Sequence, residues 1–256
     1  PESCEYLEFS QKAGITELSD EVEIRLRRDR IPMGETVEFH CSIRTETESV
    51  PVRICAANPD LSEVTSGAFL MIDGVCVLDA ADFAENVSGK DGTFTYLPDY
   101  GKFGSGMKVL PSTVEYGEKD WKEAQAPSLV YHVWAENAGK FEVNLHTSPA
   151  NPLSYGGRLR MGISVNENTV QTVDLVDENY RGGDPECSQW SEAVLSQEHV
   201  AGVQAELIRG LNRIAVYPGE AGVVLERLVI HPAGKKLPDS YMGPARSYQK
   251  TCIRTI

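Results

Sequence analysis

Residues 37–43 read Val-Glu-Phe-His-Cys-Ser-Ile, and after a polar break residues 50–56 read Val-Pro-Val-Arg-Ile-Cys-Ala. Val37, Phe39, Cys41 and Ile43 alternate with polar residues, and Val50, Val52, Ile54 and Ala56 repeat the pattern. A period of two puts all the apolar residues of each run on one face, the signature of half-buried strands, so the two runs predict an antiparallel β segment. Upstream, Val22, Ile24 and Leu26 alternate in the same way, and Arg30-Ile31-Pro32-Met33-Gly34 supplies a turn.

Working outward, Asn58 to Gly67 carries Asn-Pro-Asp, a Ser and a Gly without sustained periodicity. A junction there divides the chain into a smaller β-domain at 1–65 and a main domain at 66–256. In the main domain short strands recur at Gly74 to Ala80, Ser128 to Trp134, Lys140 to Thr147, Arg158 to Asn166, Thr169 to Val176, Asn212 to Tyr217 and Gly222 to His231. Such spacing predicts an all-β sandwich or barrel. The longest helix candidate, Gln189 to Glu206, contains Gly202 and is rich in Val. With no row of amphipathic helices to cover a parallel sheet, a TIM barrel and a Rossmann unit are excluded. Gly- and Pro-rich connections at Ala84 to Gly106, Ser112 to Pro127, Ser148 to Gly157 and Asp177 to Gln189 read as long loops, where binding usually resides.

Composition narrows the partners. Lys and Arg total 24 against 38 Asp and Glu, a formal net charge of -14, which repels nucleic acid phosphates and anionic lipid. No apolar run approaches the roughly 20 residues that cross a bilayer. The chain opens Pro-Glu-Ser-Cys-Glu, without an initiator Met or the basic-then-apolar pattern of a signal peptide, and reads as a piece of something longer. Cys4, Cys41, Cys55, Cys76, Cys187 and Cys252 lie far apart with no C-x-x-C pair, which disfavours a thiolate metal site and leaves disulfide pairing undetermined.

Catalytic signatures are absent. Gly104-Ser105-Gly106 is not G-x-S-x-G, and the five His residues never form H-x-H or H-E-x-x-H. Carboxylates such as Glu115, Glu118, Asp120, Glu123, Asp177 and Glu178 abound, yet glycoside hydrolysis needs two of them at a fixed separation in a cleft. Aromatic residues in the predicted loops carry more information: Phe94, Tyr96, Tyr100, Phe103, Trp121, Tyr155, Tyr180 and Trp190 all lie within two residues of Gly, Pro, Asp or Ser. A sugar ring stacks its apolar face on such side chains while polar neighbours take its hydroxyls. The competing reading is that they anchor long loops to the core, most clearly Trp190, with Val194 four residues on along one helical face. Arg158 and Arg160 fall on one strand face, and a guanidinium fork matches a uronate carboxylate.

Tyr100 to Pro111, Y-G-K-F-G-S-G-M-K-V-L-P, resembles the opening of the C-terminal domain of glycoside hydrolase family 115. Further similar segments follow in order: Leu145 to Pro149, Gly156 to Arg160, Gly162 to Asn166, Trp190 to Val194, Gly222 to Ile230 and the closing Ser240-Tyr241-Met242-Gly243-Pro244. The resemblance implies a galactose-binding-like (jelly-roll) β-sandwich, related to carbohydrate-binding modules of families 6 and 35 and preceded here by a smaller Ig-like β-domain. It implies a non-catalytic accessory part of a xylan-debranching α-glucuronidase that binds or positions plant cell-wall polysaccharide of the glucuronoxylan class. A purely structural or dimerisation role in the same enzyme is the alternative.

The partners implied are that polysaccharide, an upstream catalytic domain and a second copy of the chain, in a secreted or cell-envelope setting. Tyr96, Tyr100, Phe103, Trp121, Tyr155 and Arg158 are the candidate carbohydrate-binding residues. No cofactor is required; a structural calcium is the one candidate. Related modules hold that ion with an E-x-E motif, and here the matching stretch is Asp79-Ala80-Ala81, keeping one carboxylate. Glu226 on the last strand is the second candidate ligand.

Overall fold

The computed structural model describes residues 5–10, 14, 22–27, 30–153, 157–238 and 240–250. The chain divides into two compact units, Pro1–Glu63 and Val64–Ile256.

In the first unit, β1 (Leu7–Phe9) pairs antiparallel with β2 (Ile24–Leu26), and β3 (Glu35–Arg44) pairs with β4 (Ser49–Asn58). The β3–β4 register sets Val37 opposite Ala56, Phe39 opposite Ile54, Cys41 opposite Val52 and Ile43 opposite Val50. The alternation in the sequence thus becomes one apolar face of a ribbon. On its other face Glu38 lies 2.7 Å from Arg53 and 2.7 Å from His40. The turn closes through Thr45, whose amide donates to the Glu48 carbonyl at 2.9 Å and whose hydroxyl accepts from the Glu48 amide at 3.0 Å.

The second unit contains β5 (Phe69–Leu70), β6 (Cys76–Asp79), β7 (Glu85–Val87), β8 (Thr93–Pro98), β9 (Ser105–Leu110), α1 (Glu118–Lys122), β10 (Ser128–Ala135), β11 (Gly139–Thr147), β12 (Leu159–Val165), β13 (Gln171–Val176), α2 (Ser188–Ser196), β14 (His199–Leu207), β15 (Gly210–Pro218) and β16 (Val224–Pro232). Two six-stranded sheets result. One runs β13-β12-β15-β10-β5 with β7 on β10; the other runs β14-β11-β16-β9-β8 with β6 on β16.

Alternate residues of both sheets meet in one core: Leu129, Tyr131 and Val133 from β10, Met161 and Ile163 from β12, Val143 and Leu145 from β11, and Leu228 and Ile230 from β16. The second unit is therefore a β-sandwich, and burial of each large apolar side chain contributes about 1.5–3 kcal/mol. The Tyr131 hydroxyl, wholly buried, donates to the Ala80 carbonyl at 2.7 Å and so ties one sheet to the other.

Three expectations change. Ala84 to Gly106, read as a loop, holds β7, β8 and the start of β9. Ser112 to Pro127 holds α1. The helix expected over Gln189 to Glu206 stops at Gln197, whose φ of 59° is left-handed, and the remainder is β14. Hydrogen bonding to β11 along its whole length decides that outcome, because a Val-rich, Gly-containing segment has little helical preference to oppose pairing.

Candidate functional site

The hairpin joining β8 to β9 spans 99–104 and contains three residues with left-handed backbone, Asp99 (φ 51°), Gly101 (φ 68°) and Gly104 (φ 83°). These bends let the neighbouring side chains of Lys102 and Phe103 both turn inward. Lys102 points in: its side chain is 2% exposed and its Nζ lies 2.6 Å from Glu198 Oε1. His146 Nδ1 holds the other oxygen of Glu198 at 2.6 Å. Burial alone would raise the Glu198 carboxyl, but the hydrogen bonds from His146 and Lys102 outweigh it and hold the group below its ordinary value.

Phe103 is pinned at backbone and ring. Its amide donates to Glu226 Oε2 at 3.1 Å; its ring lies 3.8 Å from the Arg227 guanidinium carbon and meets His146 edge-on at 6.1 Å. Glu226, 1% exposed, also accepts a hydrogen bond from the Ser148 hydroxyl. The glycine at 101 is required by this carboxylate, since a Cβ there would overlap its oxygens. Three of the segments singled out in the sequence, around Tyr100, Ser148 and Glu226, thus converge on one buried clasp.

The clasp leaves Tyr96 and Tyr100 facing solvent, 52% and 39% exposed, on β8 and in the hairpin. Beside it, a cavity of about 140 Å³ is lined by Phe103, His146, Glu198, Arg227, Tyr241 and Met242 among others. Lys102 Nζ lies 4.2 Å from the Tyr241 ring centroid.

The other candidates fall elsewhere. Trp121 is 4% exposed, donates its indole N–H to the Pro218 carbonyl at 2.7 Å and forms a satellite core with Tyr116 and Ala126. Its ring is packed in that satellite core. Arg158 pairs with Asp174 at 2.6 Å, and Arg160 with Glu220 through its backbone and guanidinium, both beside the β12–β13 edge of the other sheet. Neither joins the tyrosines. Tyr155 lies outside the described residues.

Asp79 and Glu226, the candidate calcium ligands, are both engaged by groups of the protein. Asp79 Oδ1 accepts from Arg227 Nε at 2.9 Å, while Arg246, 3.7 Å from Asp79 Oδ2, donates to Asp82 at 2.7 Å, so one guanidinium already neutralises Asp79. Glu226 is engaged by Ser148 and Phe103. Among the described residues no group of three or more His, Cys, Asp or Glu side chains is arranged to hold a metal ion. Cys41, Cys55, Cys76 and Cys187 are free thiols, and burial pushes the Cys76 thiol up to about 12.

Lys102, His146, Glu198 and Arg227 were not among the expected site residues. The available signal was Lys102 set between two glycines in Y-G-K-F-G, a cation in a segment whose backbone is built for close approach.

The second unit is a two-sheet β-sandwich. Residues 68–246 match the model of the glycosyl hydrolase family 115 C-terminal domain. The chain belongs to that family. Among solved structures it is similar to a family 115 4-O-methyl-alpha-glucuronidase with specificity for decorated arabinogalactans, at 15% identity and a TM-score of 0.43 over 62% of this chain and 18% of that one. It is also similar to a family 35 carbohydrate binding module from Clostridium thermocellum, at 16% identity and a TM-score of 0.41 over 62% of this chain and 98% of that one. A third is a mannanase of Podospora anserina joined to a family 35 module, at 12% identity and a TM-score of 0.40 over 65% and 29%. The match thus spans less than a fifth of the first of these chains. No curated protein matches the chain. No helix among the described residues is long and apolar enough to cross a membrane.

Proposed function

We propose that the chain is a non-catalytic accessory sandwich of a secreted, α-glucuronidase-type hydrolase that binds or positions plant cell-wall polysaccharide of the glucuronoxylan class, with the strand order of a galactose-binding-like jelly roll. The observation that carries the reading is the hairpin at 99–104: Lys102 and Phe103 are locked inward, while Tyr100 in the hairpin and Tyr96 on β8 stay exposed. A pre-set aromatic face loses little entropy on meeting a sugar ring. Affinity electrophoresis in gels containing glucuronoxylan or arabinoxylan tests it. Retardation that is lost in Tyr96→Ala and Tyr100→Ala supports the reading; unaltered migration in both polymers overturns it.

A second reading, that the domain braces the catalytic part of its parent or a second copy, is favoured by the exposed apolar side chains Val194, Leu195 and Val200 beside α2 and β14. Sizing of the chain alone and with an upstream catalytic domain separates the two.

A further inference from the structure

We propose that a small cavity beside α2 binds a single neutral sugar ring, a subsite separate from Tyr96 and Tyr100; the inference rests on the carbohydrate-binding reading and locates a second contact within it. The cavity, about 150 Å³, is lined by Trp190, Ala193 and Val194 of α2, by Pro149 and Asn151 of the segment after β11, and by Tyr180. That volume is on the scale of one pyranose ring rather than an oligosaccharide.

Its walls divide chemically. Trp190, Ala193, Val194 and Pro149 give an apolar side that includes a half-buried indole, the surface on which the C–H face of a sugar stacks. Asn151 gives the polar side. Its Oδ1 accepts a hydrogen bond from the buried Tyr180 hydroxyl at 2.9 Å, and Gly182 leaves space behind it, where a Cβ would lie 2.7 Å from the Asn151 amide carbon. The amide is therefore held in one orientation, and its Nδ2 has no partner among the described residues. An oriented donor opposite an aromatic wall suits a ring hydroxyl or ring oxygen.

Charge selects the class of sugar. No charged side chain lines the cavity among the described residues, and the chain carries -14. A uronate entering it would lose hydration without gaining a counter-ion, whereas a neutral xylose- or galactose-type ring loses nothing comparable. The subsite thus reads the neutral sugars of a polysaccharide and not its acidic decoration.

Nuclear magnetic resonance of the indole N–H signals tests this with methyl β-D-xylopyranoside and sodium glucuronate as probes. The Trp190 signal is expected to shift progressively with the xyloside, while that of Trp121, bound to the Pro218 carbonyl, stays fixed as an internal control. Asn151→Ala should weaken the xyloside by about three- to tenfold, the net value of one hydrogen bond. Val194→Phe, at a half-exposed position that leaves the core intact, should fill the cavity and weaken it by about tenfold or more. A Trp190 signal unmoved by the xyloside, one moved as strongly by glucuronate, or a Val194→Phe protein that titrates like the parent overturns the subsite. If Trp190 is silent while xylan still retards the chain through Tyr96 and Tyr100, only the subsite fails. If both are silent, the carbohydrate reading fails with it.

Discussion

Gly101 lies against the buried carboxylate of Glu226, in the space that any side chain at 101 would need. The contact joins the β8–β9 hairpin to the last strand of the sandwich, and the same carboxylate accepts from the Phe103 amide and the Ser148 hydroxyl. A carboxylate this buried is tolerated only when donors replace its lost water. Here the donors belong to the loop being positioned, so satisfying Glu226 and shaping the hairpin are one event.

Gly101→Ala should therefore be costly, and Gly104→Ala much less so. Both positions have left-handed backbone, φ 68° and φ 83°, but nothing lies within 4 Å of a Cβ at 104. Backbone strain alone predicts a loss of about 1 kcal/mol at 104. At 101 the displaced carboxylate adds to it, for a total of about 3 kcal/mol. Urea unfolding of the two variants checks the difference, and equal midpoints would remove the clasp from the account.

Ser148→Ala leaves the Glu226 carboxylate short of one donor in a site closed to water. A hydrogen bond to a buried charged group is worth about 1.5–3 kcal/mol, and the variant should lose that much. Glu226→Gln, which keeps an acceptor for Phe103, should lose less than Glu226→Ala.

The strands of the sandwich were legible where one face meets the core, because alternation of apolar and polar residues is what a two-sided strand requires. β11 is the clear example. β7 was not, since Glu-Asn-Val is exposed throughout and carries no apolar alternation. β14 was hidden by a different cause: His-Val-Ala-Gly-Val-Gln-Ala-Glu-Leu follows directly on a true helix, and only pairing with β11 shows where the helix ends.

Within the site, Phe103 and Glu226 were read from motif position, but their roles were not, because sequence does not say which side chain a loop turns inward. Trp121 illustrates the same limit. An aromatic between Asp and Lys in a Gly-bearing connection reads as exposed, yet the Pro218 carbonyl and the bare surface of Gly162 give it a buried seat.

Trp121→Ala should accordingly cost about 3–5 kcal/mol of stability, the range for a large buried aromatic. Tyr96→Ala and Tyr100→Ala should each cost less than about 1 kcal/mol of stability while weakening polysaccharide retention by about tenfold. Thermal unfolding alongside affinity electrophoresis separates the classes. A tyrosine variant that unfolds early, or a folded Trp121 variant that alone loses retention, would reverse the assignment.

Calcium and a chelator should leave the melting temperature of the sandwich unchanged, because Asp79 is already neutralised by Arg227. A bound ion present well above its dissociation constant stabilises a fold by several kcal/mol. A rise of several degrees with calcium would therefore show that Arg227 yields to it.

Acid should unfold the second unit in two stages. Burial holds His199 below the ordinary histidine value of 6.5, with its hydrogen bond to the Ala150 carbonyl pulling the other way. Since the unfolded chain takes up that proton first, stability is full above 6.5 and declines as pH falls toward the lower folded value. Glu198 is also depressed in the fold, from 4.5, so its pairing with Lys102 and His146 contributes above 4.5 and is lost as pH falls through the folded value. Asp82 runs the opposite way: burial raises it despite the Arg246 ion pair, so its protonation favours the folded state and blunts the second stage. Urea midpoints measured from pH 7.5 to pH 3.5 should decline first below 6.5 and again below 4.5. His199→Leu should remove the upper decline and Glu198→Gln the lower. A single decline untouched by either substitution would place the acid sensitivity in other groups.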